Sequence, residues 1–234
     1  MREEPEPLVA ISGMLGSAPL WDGVSERLGD VVTILPMGVE DDSVGQMAAT
    51  VLANSPPRFA LAGHSLGAVV ALAMMRRAPD RITRLALLNA SGRGPSPAQQ
   101  VAWSRWRQRT LDGEFDQIAA ELAVATLARS RQDCTDHIAA NVAMAHEGGS
   151  AGFLRQLAAQ STRPDSLASL AAIAVPVLVM SGDEDDVCPP ELQQELAEHC
   201  AQAELVTVEG GGHMLPLECP DAVAEHLLRW LTQV

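Results

Sequence analysis

The sequence predicts an α/β fold: a mostly parallel six-stranded sheet with helices on both faces and an inserted helical lid. Three observations predict it. Short apolar runs recur six times, stretches of helical spacing alternate with them, and one long block between Ser91 and about Asp165 carries helical patterning with no strand. A chain of 234 residues and 24.8 kDa accommodates one sizeable core.

The apolar runs fall at residues 7–11, 31–35, 58–62, 85–88, 175–180 and 204–208. Each is a continuous run rather than a polar/apolar alternation, as a strand covered on both faces requires, so the sheet is expected to be parallel. Helices are read at 20–28, 44–53, 66–78, 190–199 and 221–231, with Pro79 ending the third and Pro220 just ahead of the last. The helical block is interrupted by Gly92-Arg93-Gly94-Pro95 and Gly148-Gly149-Ser150. It lies between two strands of one sheet, which divides the chain into a core of residues 1–90 and 166–234 and a lid of residues 91–165. No internal repeat is present.

Composition excludes several function classes. Hydrophobic residues make up 47% of the chain and charged residues 20%, which is ordinary for a globular protein and argues against disorder. A formal charge of -14 with no basic stripe argues against a nucleic-acid partner. The chain has no lysine and no tyrosine, which removes Schiff-base, phosphate-loop and Tyr/Lys reductase chemistries. The start, MREEPEPLVAISG, has an acidic lead and reads as neither leader nor anchor, and no apolar run is long enough to cross a membrane. Cys134, Cys188, Cys200 and Cys219 lack metal-type pairing and read as reduced thiols, which suggests a cytoplasmic protein, monomeric or homodimeric.

The chemistry concentrates in Gly63-His64-Ser65-Leu66-Gly67, between the third apolar run and the third helix. A serine on so sharp a strand-to-helix turn, with glycines two residues to either side, is a G-x-S-x-G nucleophile elbow that lifts its hydroxyl to the carboxyl edge of the sheet. A serine needs a base, and the base needs an orienting acid. His64 is fixed beside the elbow, His137 and His146 fall in the lid, and His199 and His226 sit in surface-type helical patterns. His213 follows the last strand and the flexible Gly210-Gly211-Gly212, which makes it the candidate base. In the order serine, acid, histidine, the acid falls in the loop Gly182-Asp183-Glu184-Asp185-Asp186-Val187-Cys188-Pro189.

These motifs resemble the α/β-hydrolase superfamily, in particular its small lid-bearing esterases and enol-lactonases, over nearly the whole chain outside the lid. The resemblance implies the α/β-hydrolase fold. Its G-x-x-D-x-x-x-P loop matches Gly182 to Pro189 and implies Asp185 as the acid; its G-x-G-H loop matches Gly210 to His213. Its early H-G-x-x-G segment matches Ser12-Gly13-Met14-Leu15-Gly16, with Ser12 in place of histidine, and implies an oxyanion hole made by the amides of Met14 and Leu66. The strand ahead of this loop reads as the first, so the antiparallel hairpin that opens many members is expected to be missing and six strands are expected.

Together the motifs and the resemblance imply a serine hydrolase for a small, mostly apolar ester, thioester or lactone, with Ser65 as nucleophile, His213 as base, Asp185 as orienting acid, and no metal or organic cofactor. Gly13 and Met214 are candidates for substrate contact, as are Trp103 and Trp106, which share one lid-helix face and are candidates for lid core as well. Leu15 and Met144 are weaker candidates for the acyl site. Asp183, Glu184 and Asp186 read as a solvated acidic loop, at most a weak cation site. Two alternatives stand beside the hydrolase: a lyase or synthase using the same triad for proton abstraction, and a non-catalytic small-molecule sensor.

Overall fold

The computed structural model describes residues 6–233. Most of the acidic lead lies outside them. Six strands, β1 (Leu8–Ile11), β2 (Ile34–Met37), β3 (Phe59–His64), β4 (Ile82–Leu88), β5 (Val177–Gly182) and β6 (Ala203–Val208), form one sheet in the order β2-β1-β3-β4-β5-β6. Every neighbouring pair is parallel. The continuous apolar runs follow from the layering. On β1, Leu8 and Ala10 enter one core, with α1 (Asp22–Leu28) and α10 (Pro220–Thr232), while Val9 and Ile11 enter the other, with α2 (Val44–Asn54) and α3 (Leu66–Arg77). Alternate side chains of a strand point to opposite faces, so with both faces dry every position is apolar.

The second strand begins later than the apolar run suggests. Val31 closes the 3-10 turn Gly29–Val31, and pairing starts at Ile34, so that Pro36 and Met37 stand beside Ala10 and Ile11. β2 is an edge strand, where a proline without an N–H is tolerated. β3 runs two residues past the expected end, because Gly63 and His64 still pair with Leu87 and Leu88.

Between β4 and β5 the described chain is helical. It forms α4 (Pro97–Leu111), α5 (Phe115–Ala125), α6 (Thr135–Ser161) and the short α7 (Leu167–Leu170). A capping box at Ser96 and Gln99 starts α4. Gly149 kinks α6 with a φ of 60°, at the Gly-Gly-Ser interruption. The three long helices share their own small core of Trp103, Phe115, Ile118, Phe153 and Leu157. Two further helices, α8 (Pro190–His199) and α9 (Leu215–Glu218), follow β5 and β6. Among the described residues no helix is long and apolar enough to cross a membrane, and all four cysteines are free.

Candidate active site

Ser65 sits between β3 and α3 with φ 53° and ψ -117°, a left-handed conformation that a non-glycine residue holds only when its surroundings force it. The surroundings are two glycines. A Cβ on Gly63 would stand 2.5 Å from the Gly67 carbonyl oxygen, and one on Gly67 would stand 2.3 Å from that of Ile11. The start of α3 therefore lies directly on β1 and β3, and the Ser65 N–H is held by the Leu88 carbonyl at 2.9 Å.

The loops after β5 and β6 bring two side chains to this serine. His213 Nε2 lies 3.0 Å from Ser65 Oγ, and His213 Nδ1 lies 3.0 and 3.1 Å from the two Asp185 carboxylate oxygens. Asp185 also accepts from the Val187 and Cys188 N–H groups at 2.9 and 2.8 Å and from Asn89 Nδ2 at 2.9 Å. Burial alone pushes this carboxyl upward, but the His213 ring and these hydrogen bonds outweigh it and hold the group below its ordinary range. With Nδ1 donating to a carboxylate, Nε2 is the acceptor and can take the serine proton.

His213 is clamped through its backbone as well. Its N–H and that of Met214 both donate to the Thr126 carbonyl, at the end of α5, and its own carbonyl accepts from His64 Nε2 at 2.7 Å. His64 is fully buried with Nδ1 unpartnered; burial, with the nearby His213 ring, drives its pKa down to about 3, so the ring is neutral. Asn89, with φ 49°, donates to both Asp185 and the Gly212 carbonyl. Neither Asn89 nor Thr126 belongs to a motif; only the position of Asn89, just past β4 at the carboxyl edge, hinted at a role.

The acidic neighbours of Asp185 are not simply solvated. Asp183 accepts from the Gly210 N–H, Glu184 accepts from the Ser130 N–H, and Asp186 pairs with Arg129 at 3.0 Å. They tie the acid loop to the histidine loop and to the turn after α5. Among the described residues no group of three or more His, Cys, Asp or Glu side chains is arranged to hold a metal.

On the other side of Ser65, the Ser12 to Gly16 loop lies against the elbow. A Cβ on Gly13 would stand 2.9 Å from both His64 Nδ1 and Ser65 Cβ, so Gly13 is a spacer and not part of the cavity wall. The Met14 and Leu66 N–H groups have no protein acceptor among the described residues. Ser12 anchors the loop: its hydroxyl donates to the Ser17 carbonyl at 2.7 Å and accepts from Trp21 Nε1 at 3.2 Å. Leu15, with φ 61°, donates its N–H to Gln156 of α6, whose amide in turn donates to the Val39 carbonyl.

Ser65 and His213 open on a cavity of about 230 Å³ roofed by α4 to α6. Met14, Leu15, Trp103, Trp106, Val187 and Met214 give it apolar walls, Gln99, Gln160 and Arg163, joined by hydrogen bonds, form a polar side, and Asn141 also lines it. Trp103 and Trp106 belong to both readings, since each lines the cavity and packs in the helical core. Met144 is buried against the sheet and does not reach the cavity.

The sequence pattern of the serine aminopeptidase S33 family matches residues 39–220. A protein of Agrobacterium fabrum named for carbamate hydrolysis is 27% identical over 97% of this chain and 94% of its own. A pimeloyl-acyl-carrier-protein methyl ester esterase of Pectobacterium carotovorum is 27% identical over 94% of this chain and 92% of its own. Among solved structures, an enol-lactonase from Burkholderia xenovorans superposes with a TM-score of 0.87 at 20% identity, covering 100% of this chain and 94% of that one.

Proposed function

The chain belongs to the serine aminopeptidase S33 family of α/β-hydrolases, and from that premise we propose that it is a serine hydrolase cleaving a small carboxylic ester, thioester or lactone through an acyl-enzyme on Ser65. The observation that carries this reading is the continuous Ser65–His213–Asp185 hydrogen-bonded chain, opening on a largely apolar cavity. The esterase relative supports the ester bond as the target.

Ser65 Oγ attacks the substrate carbonyl as His213 Nε2 takes its proton. The carbonyl oxygen becomes an oxyanion that the Met14 and Leu66 N–H groups meet, each worth roughly 2.7–4 kcal/mol in such a role. The carbon–oxygen or carbon–sulfur bond to the leaving group then breaks, and His213 returns the proton to that group. Water attacks the acyl-enzyme, again losing a proton to His213, and Ser65 is regenerated on release of the acid. Asp185 fixes the imidazole tautomer and stabilises its cation. The helices over the cavity act as a lid, and the Trp103, Trp106 and Met214 side chains contact the acyl chain.

A panel of esters and thioesters of increasing acyl length, together with a fluorophosphonate probe, tests this. Wild-type protein is expected to turn over short members and to carry the probe on Ser65. Labelling that persists in Ser65→Ala protein, or no turnover across the panel, would refute it.

A further inference from the structure

Arg163 is the only buried arginine among the described residues, at 8% exposure, and it stands in the wall of the Ser65 cavity. Its Nε donates to the Arg93 carbonyl at 3.2 Å, one terminal nitrogen to Gln160 Oε1 at 2.6 Å and the other to Gln99 Oε1 at 3.3 Å. The guanidinium lies over Trp103, 5.3 Å from the ring centroid. These contacts use three of its five N–H hydrogens. One on each terminal nitrogen is left without a protein partner.

Its charge is also left over. No carboxylate among the described residues lies within 4.0 Å of it, whereas half-buried Arg109 and exposed Arg93 and Arg229 all have one. The neighbouring Cys188 supplies no counter-charge, since burial, reinforced by Asp185, pushes its thiol upward and keeps it neutral. Burial pulls the Arg163 pKa down, the direction in which an unneutralised cation is destabilised. A strut between α6 and the turn before α4 needs hydrogen bonds but not a charge. A buried cation facing a cavity is ordinarily matched by an anion. The amide nitrogen of Gln160 adds donors without a protein partner, so this side of the cavity presents N–H groups.

We propose that the substrate carries a free carboxylate, which the Arg163 guanidinium binds at the polar side of the cavity while the ester carbonyl lies at Ser65. This rests on the hydrolase reading above and names its substrate class: a half-ester, thioester or lactone of a small dicarboxylic acid. The two free N–H groups, one on each terminal nitrogen, offer charge-assisted donors to a carboxylate. The net charge of -14 opposes an anion at long range, but that field is screened over about 8 Å at physiological salt, and the attraction is local. A cavity of about 230 Å³, below the range of about 300–1,000 Å³ for drug-sized ligands, suits a short diacid.

The test compares p-nitrophenyl monoesters of diacids of four to eight carbons with the matched neutral esters, and measures calorimetric binding of monomethyl hexanedioate and methyl hexanoate to Ser65→Ala protein. A charge-assisted contact is expected to give wild type a preference of about tenfold to a hundredfold in kcat/KM for the acidic member at one or more lengths. Arg163→Gln should cut that preference to under about twofold, with the larger loss falling on the acidic member, and Arg163→Lys should restore part of it. A preference for the neutral ester at every length, or one that survives in Arg163→Gln, would overturn the proposal. The binding arm needs no Arg163 variant to fold: monomethyl hexanedioate should bind more tightly than the neutral methyl hexanoate, and equal or weaker binding would overturn it too. Tighter binding of monomethyl hexanedioate with no ester turned over would sink the hydrolase reading and leave the anion site standing.

Discussion

Lowering the pH from about 7 to about 4.5 is expected to destabilise this protein through His64, a buried residue outside the Ser65–His213–Asp185 chain. Its ring is wholly buried, donates from Nε2 to the His213 carbonyl, and has no acceptor for a second proton on Nδ1. In the folded state its pKa is about 3, because burial penalises the cation and the His213 ring adds to that; in the unfolded chain it returns to about 6.5. A depressed folded value means that the contribution is fully present above the unfolded pKa and is lost as the pH falls toward the folded one. Between about pH 6.5 and about pH 4.5 the loss is two pH units at 1.36 kcal/mol each, of order 2.7 kcal/mol. Urea denaturation of wild type and His64→Gln at several pH values isolates it, since a glutamine amide can still donate to the His213 carbonyl but does not titrate. The wild-type curve should fall more steeply by roughly that amount. If the two curves fall in parallel, or if the His64 ring titrates near its ordinary value by NMR, the account of this residue as a neutral buried strut is wrong.

Asp185→Asn should lose on the order of 10⁴ in turnover, while Asp183→Asn and Asp186→Asn stay within about tenfold, because their partners are a loop N–H and an exposed arginine. Asp185 is held below its ordinary range, so its contribution to stability is present above about pH 4 and lost as the pH falls through the folded value; the asparagine variant should lack that limb in acid denaturation. Gly67→Ala should lower stability by more than about 2 kcal/mol in chemical denaturation, since the new Cβ would meet the Ile11 carbonyl oxygen at 2.3 Å; an unchanged midpoint would contradict that close approach. Trp106→Ala should shift the preferred acyl length with little loss of stability, whereas Trp103→Ala, which is 5% exposed, should do so at a cost of about 3–5 kcal/mol.

What could be read from the sequence was whatever short contiguous stretches encode. The Gly63 and Gly67 spacing fixes a backbone turn, and the apolar runs fix strands dry on both faces, so the sheet and the placing of Ser65, His213 and an acidic loop at its carboxyl edge follow from local chemistry, while the choice of Asp185 within that loop rests on the family resemblance. The start of β2 did not, because an edge strand buries less and Val31 is as apolar inside a turn as inside a strand. Nor did the supporting groups. Leu15 meets Gln156 across 141 residues and Asn89 meets Asp185 across 96, and no local pattern announces a polar side chain whose partner is a loop that far away. Arg163 reads as an ordinary residue after a helix; its burial against Trp103 depends on how three helices pack.

Those long-range contacts make the helical segment part of the catalytic frame as well as its roof. The Thr126 carbonyl accepts both the His213 and Met214 N–H groups, and two residues later the Ala128 N–H donates to Glu218, just after the same loop. Burial raises the Glu218 pKa, and its second carboxylate oxygen has no hydrogen-bond partner among the described residues, so the bond to Ala128 matters to keeping that end of the loop fixed. Gly212 leaves no room for movement either, since a Cβ there would stand 2.1 Å from the Ala128 nitrogen. The histidine loop is thus gripped by the α5 to α6 turn on one side and by His64 and Asn89 on the other. Exchanging residues 97–161 for the helices of a relative would therefore change specificity only where the graft keeps the backbone of residues 126–128; elsewhere it would displace His213 from Ser65 and lower kcat on every substrate alike.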